Sequence, residues 1–433
     1  MLVQIAYGDT GLTIEVPDST TVVESAFAPG LPDERAALLQ AMRAPLHGPG
    51  LAEAVRGGQN AVGVFPDVTR AMPTRRVIPV VLAELEAAGF GPDRLTLLSG
   101  TGTHRANTPE ELERMLGRDV LDRYAVVNHD ARAPETLVNL GTTSDGAPAL
   151  LNRVYVEADV RIVVGLIEPH FFAGYSGGPK GVCPGVAGLE TVLHAHDAQR
   201  IGDPGATWGE IRANPIQRLL REVVAMAPPS ITLDVTLNKA QQITGVFAGS
   251  GYAAHAAGCE FVARYQQCSV PHPFDIVVTT NGGYPLDQNL YQSVKGMTAA
   301  ARIVRLGGSI ILAAECRDGI PDHGSYGAIL AKVRNHADIY ASLHNGSETV
   351  PDQWEAQVQA IVQQKAHVYA FCGGLTDEQL RMAHLTPIHS VQETLSDLLR
   401  RHPDASVAVL PEGPYTVPQV TPAAVAVRQE RRG

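Results

Sequence analysis

Val160-Arg161-Ile162-Val163-Val164-Gly165-Leu166-Ile167 runs without a break into Glu168-Pro169-His170-Phe171-Phe172-Ala173-Gly174-Tyr175-Ser176-Gly177-Gly178-Pro179-Lys180-Gly181-Val182-Cys183-Pro184-Gly185. The first part is mostly apolar and β-branched, the pattern of a buried parallel strand. Loops at the carboxyl ends of such strands are where open α/β sheets hold ligands. This loop carries one imidazole, one lysine and five glycines. Glycine lets the backbone take positive φ and approach a ligand closely. A lysine among glycines is a point charge or a nucleophilic amine. The plainer alternative is a tight turn with an incidental surface lysine. A phosphate-binding P-loop is excluded, because Gly181 stands where GxxxxGK[ST] requires a hydroxyl residue.

Working outward, apolar strands alternate with helical patterns, which predicts an α/β architecture. Residues 2–16 read as a β-hairpin turned at Gly8-Asp9-Thr10-Gly11. Ala61 to Phe65 is a buried strand ending at Asp67-Val68-Thr69-Arg70, and a helix follows over roughly 75–89, its regular part confined to what comes after Pro79. Leu95 to Leu98 ends at Gly100-Thr101-Gly102-Thr103-His104-Arg105, and Asn107-Thr108-Pro109-Glu110-Glu111 reads as a helix start. Tyr124 to Val127 is a further strand. Ser269-Val270-Pro271-His272-Pro273 marks a linker, after which a second α/β unit begins with a strand at 275–280 and continues through Arg302-Ile303-Val304 to a strand at 309–314. The last residues, ending Arg428 to Gly433, read as a peripheral tail. The expectation is two α/β lobes with mainly parallel sheets, residues 1–268 and 269–433, and an active site in the cleft between them.

With 45% hydrophobic and 18% charged residues, the composition is that of an ordinary globular protein. No run approaches the roughly 18 apolar residues of a membrane span. The start, Met1 to Tyr7, lacks a basic segment and reads as a strand. Five scattered cysteines without a CxxC pair suggest reduced thiols in a cytoplasmic protein. A net charge of −11 without a basic cluster argues against nucleic acid.

His104 and His170 each sit past a buried strand, which suits a general acid/base pair. Each taken alone reads as a loop histidine bound to backbone; two at equivalent strand ends favour function. His194 and His196, spaced i,i+2 in a helical stretch, point to different faces, so at most one of them faces a site. Asp67 and Arg70 read as a capping carboxylate with an anion-binding arginine, or as a plain N-cap with a surface charge. Gln292 and Lys295, at i,i+3 in Tyr291-Gln292-Ser293-Val294-Lys295-Gly296, share a helical face and offer an amide and an ammonium to a carboxylate. Trp354 either walls the cleft or belongs to the core.

Together these pieces resemble the nickel-dependent lactate racemase family, whose members racemise or epimerise 2-hydroxy acids. The matching segments are Asp67 to Arg70, Gly100 to Arg105, Glu168 to Gly178, Lys180, Pro184-Gly185, His196 and Tyr291 to Met297, in the family's order. The resemblance implies nickel in a pincer cofactor of the pyridinium-3,5-bisthiocarboxylic acid mononucleotide type, attached through a thioamide to the lysine matched by Lys180. It implies His196 as the nickel ligand, a soft site that suits Ni(II). His104 and His170 match the paired acid/base residues, and Asp67, Val68, Thr69 and Arg70 match the segment that holds the cofactor. Arg70, Gln292 and Lys295 match substrate-binding positions. Pro179 departs from the pattern, since a basic residue is expected there.

The resemblance implies an isomerase for lactate or a similar short 2-hydroxy acid, dependent on cofactor-maturation proteins and needing neither nucleic acid nor membrane. No side chain accepts and returns hydride, so the cofactor carries that step and the protein orients it. A nicotinamide-dependent 2-hydroxy-acid oxidoreductase is the competing enzyme class, although no GxGxxG opens a helix in a βαβ unit. A non-catalytic small-anion or metal-binding protein on the same scaffold is the third.

Overall fold

A computed structural model describes residues 1–322, 324–345 and 348–421, so the expected tail from Arg428 onward lies outside the described residues. The chain divides into two compact units, one of residues 26–265 and one joining residues 1–25 to the chain from Gln266 onward.

The unit of residues 26–265 is built on a six-stranded sheet in the order Ile243–Gly249, Ile231–Leu237, Val160–Leu166, Ala61–Pro66, Leu95–Gly100, Ala125–Asn128. All neighbours are parallel except the edge pair Ile231–Leu237 with Ile243–Gly249. Ala61–Pro66 is buried over nearly its whole length, which is why it reads as a continuous apolar run rather than an alternating one. Phe65, Leu97, Ile162 and Val235 pack in one core with Val81 and Leu85 of helix Thr74–Ala87. From Ala61–Pro66 the chain moves to Leu95–Gly100 on one side, while Val160–Leu166 lies on the other. The order therefore reverses beside Ala61–Pro66. Loops leaving the carboxyl ends of strands at such a reversal diverge and leave a crevice for a ligand. Here those loops begin at Asp67 and at Ile167.

Two local expectations change. Pro79 lies inside helix Thr74–Ala87 rather than ahead of its regular part. It sits on the exposed face, where water can take the Arg75 carbonyl that loses its amide partner. Ser269 and Val270 belong to strand Gln267–Val270, paired in parallel with Val417–Val420, so the proline-rich stretch is no free linker. The strand expected at 309–314 forms and begins earlier, running Val304–Ala313.

In the second unit every pairing of the main sheet is parallel, in the order Thr386–Pro387, Ala366–Phe371, Val304–Ala313, Phe274–Thr280, Val407–Leu410, Thr21–Val22. The edge strand Thr21–Val22 explains why residues 1–25 do not group with residues 26–265. Its partner, Val407–Leu410, is far away in sequence, and no local pattern announces the pairing. Hairpin Leu2–Ile5 with Leu12–Glu15 forms as expected.

Helix Pro109–Leu116 follows the loop that carries His104 and opens with a capping box, in which Thr108 accepts from the Glu111 amide while Glu111 accepts from the Thr108 amide. Thr108→Ala should lower stability by about 1 kcal/mol. Urea unfolding followed by circular dichroism measures this, and an unchanged midpoint would show that the cap contributes nothing.

Candidate active site

The loop after Val160–Leu166 folds back on itself. Pro169–His170 pairs antiparallel with Gly174–Tyr175, and the Glu168 amide donates to Ser176 Oγ at 3.0 Å. Gly174 has φ +76°, and a Cβ there would lie 2.0 Å from the Glu210 carbonyl oxygen, so only glycine fits. From behind, Asn214 Nδ2 donates to the Phe172 carbonyl at 2.8 Å, and Gln217 Nε2 donates to the Ala173 carbonyl at 2.8 Å. Both amides are buried at the start of helix Pro215–Met226. The turn is thereby fixed, and His170 with it. His170 Nδ1 accepts from the Ala173 amide at 3.2 Å, which puts the proton of the neutral ring on Nε2.

The buried Phe172 ring is where the expected residues meet. His170 lies edge-on at 4.5 Å between centroids and His196 at 5.3 Å, while the Lys180 ammonium sits 5.8 Å over the same ring. Lys180 is carried by a single 3₁₀ turn, Gly178–Gly181. His196 caps helix Leu189–Ala195 and is buried, with Nδ1 2.8 Å from the Val192 carbonyl. Burial first, and the Lys180 charge in addition, lower its pKa to about 4 against the pull of the Val192 contact, so the ring is neutral at pH 7. Its Nδ1 must then donate to Val192, which leaves Nε2 as the nitrogen bearing the lone pair. His194 is exposed, its Nδ1 against the Glu190 carbonyl. Among the described residues no three His, Cys, Asp or Glu side chains gather as a metal cluster.

Asp67 is not an N-cap. The helix begins at Thr74, and the carboxylate is spent elsewhere, with Oδ2 2.8 Å from His104 Nδ1 and Oδ1 accepting from Thr69 Oγ1 at 2.7 Å. Burial works to raise its pKa, but His104, Thr69 and the nearby Arg70 charge together hold it below the ordinary carboxylate value. The ionised Asp67 accepts the Nδ1 proton, and the His104 side chain is 48% exposed. The segment's Val68 amide donates to buried Asn107 Oδ1 at 3.0 Å, and Asn107 Nδ2 donates to Ser99 Oγ and Asn128 Oδ1, each at 2.8 Å. One amide so ties together the ends of three adjacent strands. Gly102 donates to the Gly185 carbonyl at 2.9 Å, and Gly185 to that of Lys180 at 3.1 Å, joining the His104 loop to the lysine loop.

Gln292 and Lys295 belong to the other unit, on helix Leu290–Ala301, and Lys295 Nζ donates to Gln292 Oε1 at 2.6 Å. They share a face, as their spacing predicts. Trp354 is buried, and its Nε1 donates to the Tyr291 hydroxyl at 3.2 Å.

Sequence reasoning missed Asp234, the one charged residue of the buried strand Ile231–Leu237. It is wholly buried beneath the lysine loop and accepts from the Gly178 amide at 3.0 Å. A Cβ at Gly165 would lie 2.2 Å from Asp234 Oδ1, and one at Gly177 2.8 Å, so both glycines make room for this carboxyl. His255 packs against Gly178 and places Nε2 2.9 Å from the Ser176 carbonyl. An acid inside a run of apolar and β-branched residues was the available signal.

The lactate racemase N-terminal domain family matches residues 7–209, and the lactate racemase C-terminal domain family matches residues 270–417. The lactate racemase of Thermoanaerobacterium thermosaccharolyticum is 33% identical over 95% of this chain and 97% of its own length. That of Lactiplantibacillus plantarum is 34% identical over 95% of this chain and 98% of its own length. The structure of the Thermoanaerobacterium apoprotein superposes with a TM-score of 0.91, covering 97% of this chain and 100% of that one. A Thermotoga maritima protein, 19% identical with a TM-score of 0.68 over 91% of this chain and 100% of its own, shares the fold.

Burial raises the Asp234 pKa to about 7, against the pull of the Gly178 amide. An unfolded aspartate titrates near 4, so the folded chain holds this proton more tightly. The stability from that proton is full below about pH 4, is lost as pH rises towards 7, and stays lost above. The difference is on the order of 4 kcal/mol. Asp234→Asn should therefore gain stability relative to the parent as pH rises from 4.5 to 8. Parallel urea-midpoint profiles for the two proteins would refute the shift.

Proposed function

The chain belongs to the lactate racemase family, and we propose that it interconverts the two hands of lactate or a similarly short 2-hydroxy acid. Membership makes it an isomerase and sets aside the nicotinamide-dependent and non-catalytic alternatives. The observation that carries the mechanistic reading is the gathering of His170, Lys180 and His196 around the Phe172 ring, with His194 left outside.

These residues fit a nickel-pincer nucleotide. The amine of Lys180 would tether it, and the neutral His196, oriented through Val192, would offer Nε2 to nickel. When bound, the group supplies hydride acceptance and return at C2, which no side chain offers. Val68, Thr69 and Arg70 remain as the segment bordering the cofactor, whereas Asp67 acts through His104.

His104 Nε2 takes the proton of the 2-hydroxyl, and Asp67 stabilises the imidazolium that results. His170 holds its proton on Nε2 and gives it to the oxygen of a planar 2-keto acid. The resting pair is thus one acceptor and one donor, the complementary states that substrates of opposite hand require. Arg70, Gln292 and Lys295 are the carboxylate-binding groups, and such positioning is worth roughly 7 kcal/mol or more in well-oriented reactions. Cofactor-maturation proteins are the implied partners. A cytoplasmic setting agrees with cysteines that are all free thiols. Among the described residues no helix is long and apolar enough to cross a membrane.

Produced in cells that make the cofactor, Lys180→Ala should lack the covalent adduct in an intact mass spectrum. His196→Ala should lose most of its nickel while His194→Ala keeps it; equal losses would overturn the assignment. In rapid-mixing spectra of holoenzyme, His104→Ala should respond to one enantiomer only and His170→Ala only to the other, each losing about 10² to 10⁴ in rate for the affected hand. Equal loss for both enantiomers in both variants would sink the two-base reading.

A further inference from the structure

Helix Gln353–Lys365 buries polar side chains that no packing argument asks for, Gln353, Glu355, Gln357 and Gln359 among them. Glu355 is the costly one. It is 1% exposed, and its Oε1 has no hydrogen-bond partner among the described residues. A buried carboxyl left incompletely bonded is retained against a desolvation penalty.

Its surroundings lead to the helix of Lys295. Trp354 donates from Nε1 to the Tyr291 hydroxyl, which lies 3.3 Å from Asp352 Oδ1, so the first turn of Gln353–Lys365 is fastened to helix Leu290–Ala301. Tyr291 and Lys295 are i,i+4 and lie on one face of that helix. Glu355 and Gln359 are likewise i,i+4. Gln359 Oε1 accepts from the Tyr326 hydroxyl, and the Tyr326 ring stands edge-on to Tyr291 at 5.5 Å. The charged and titratable groups facing Glu355 are therefore Lys295, Asp352, Tyr291 and Tyr326.

We propose that Glu355 is a positioning residue that sets how much of the Lys295 charge is available to a substrate carboxylate. The inference rests on reading Gln292 and Lys295 as the substrate-binding pair. Protonated, Glu355 leaves the ammonium to the substrate. Ionised, it competes for the same charge and weakens binding. Burial raises its pKa to about 8, with Lys295 pulling down and Asp352 pushing up. Burial, and then the neighbouring Glu355, also keep Tyr291 and Tyr326 far above their ordinary value, so both stay neutral. By linkage, a carboxylate bound at Lys295 raises the affinity of Glu355 for its proton by the same factor.

The holoenzyme tests this through KM for lactate between pH 6.5 and 9.5. The parent should show KM rising several-fold above about pH 8, with kcat changing less, whereas Glu355→Gln should show a KM flat across that range. On the apoprotein, carboxyl ¹³C NMR should show a resonance titrating near pH 8 that is absent from Glu355→Gln and moves upward in Lys295→Met. A KM rise of the same size in the parent and Glu355→Gln, or a Glu355 resonance titrating near 4, overturns the proposal. If Lys295→Met leaves KM unchanged at every pH, the substrate-pair reading itself falls. A raised KM in Lys295→Met alongside parallel profiles for the other two proteins sinks only the role of Glu355.

Discussion

Beneath the lysine loop, one buried carboxyl and three glycines occupy space that any larger side chain would fill. Asp234 reaches from its strand to the Gly178 amide only because Gly165 and Gly177 carry no Cβ, and His255 packs against Gly178. That contact fixes the backbone immediately ahead of Lys180. The Pro169–Tyr175 hairpin is pinned independently by Asn214 and Gln217, which bind its carbonyls from behind. The two anchors leave Phe172, and the groups gathered around its ring, little freedom. Irregular backbone is normally the mobile part of an α/β protein. Here buried polar side chains hold it to the sheet and to the helix behind it.

The same anchoring separates five histidines by environment. His129 and His255 are buried and bonded to backbone carbonyls, so they serve structure. His196 is buried too, yet it stands beside Lys180 and Phe172, where it is the proposed ligand. His104 is half-exposed and backed by an ionised aspartate, the setting of the base proposed for it. His170 has its Nδ1 occupied by a backbone amide, the setting of the proposed donor. One residue type yields structural props and candidates for ligand, acceptor and donor, according to which nitrogen the neighbouring backbone or carboxylate engages.

The two units solve a common problem by similar means. Each lays down a mainly parallel sheet and places its polar, glycine-containing loops at the carboxyl ends of the strands. Each also keeps a buried acid with a raised pKa, Asp234 in one and Glu355 in the other. Folding energetics alone would replace such groups with apolar ones of similar shape. Their retention next to Lys180 and Lys295 accords with the idea that local rules are broken where function demands it.

The sequence by itself determined the class of fold, because buried parallel strands leave continuous apolar runs such as Ala61 to Phe65 and Val160 to Leu166. It also marked the loops, since glycine, histidine and lysine after such a run have few structural uses. The i,i+3 face of Gln292 and Lys295 followed from helical period alone. Tertiary structure decided what period and composition do not encode. It paired Thr21–Val22 with Val407–Leu410, turned Asp67 from a supposed cap into the partner of His104, and buried His196 while exposing His194. It also set Asp234 and Glu355 where burial raises their proton affinity. A residue's neighbours in sequence fix its secondary structure, whereas its ionisation and hydrogen bonding depend on groups brought from distant strands and helices. Those groups meet only after the chain has folded.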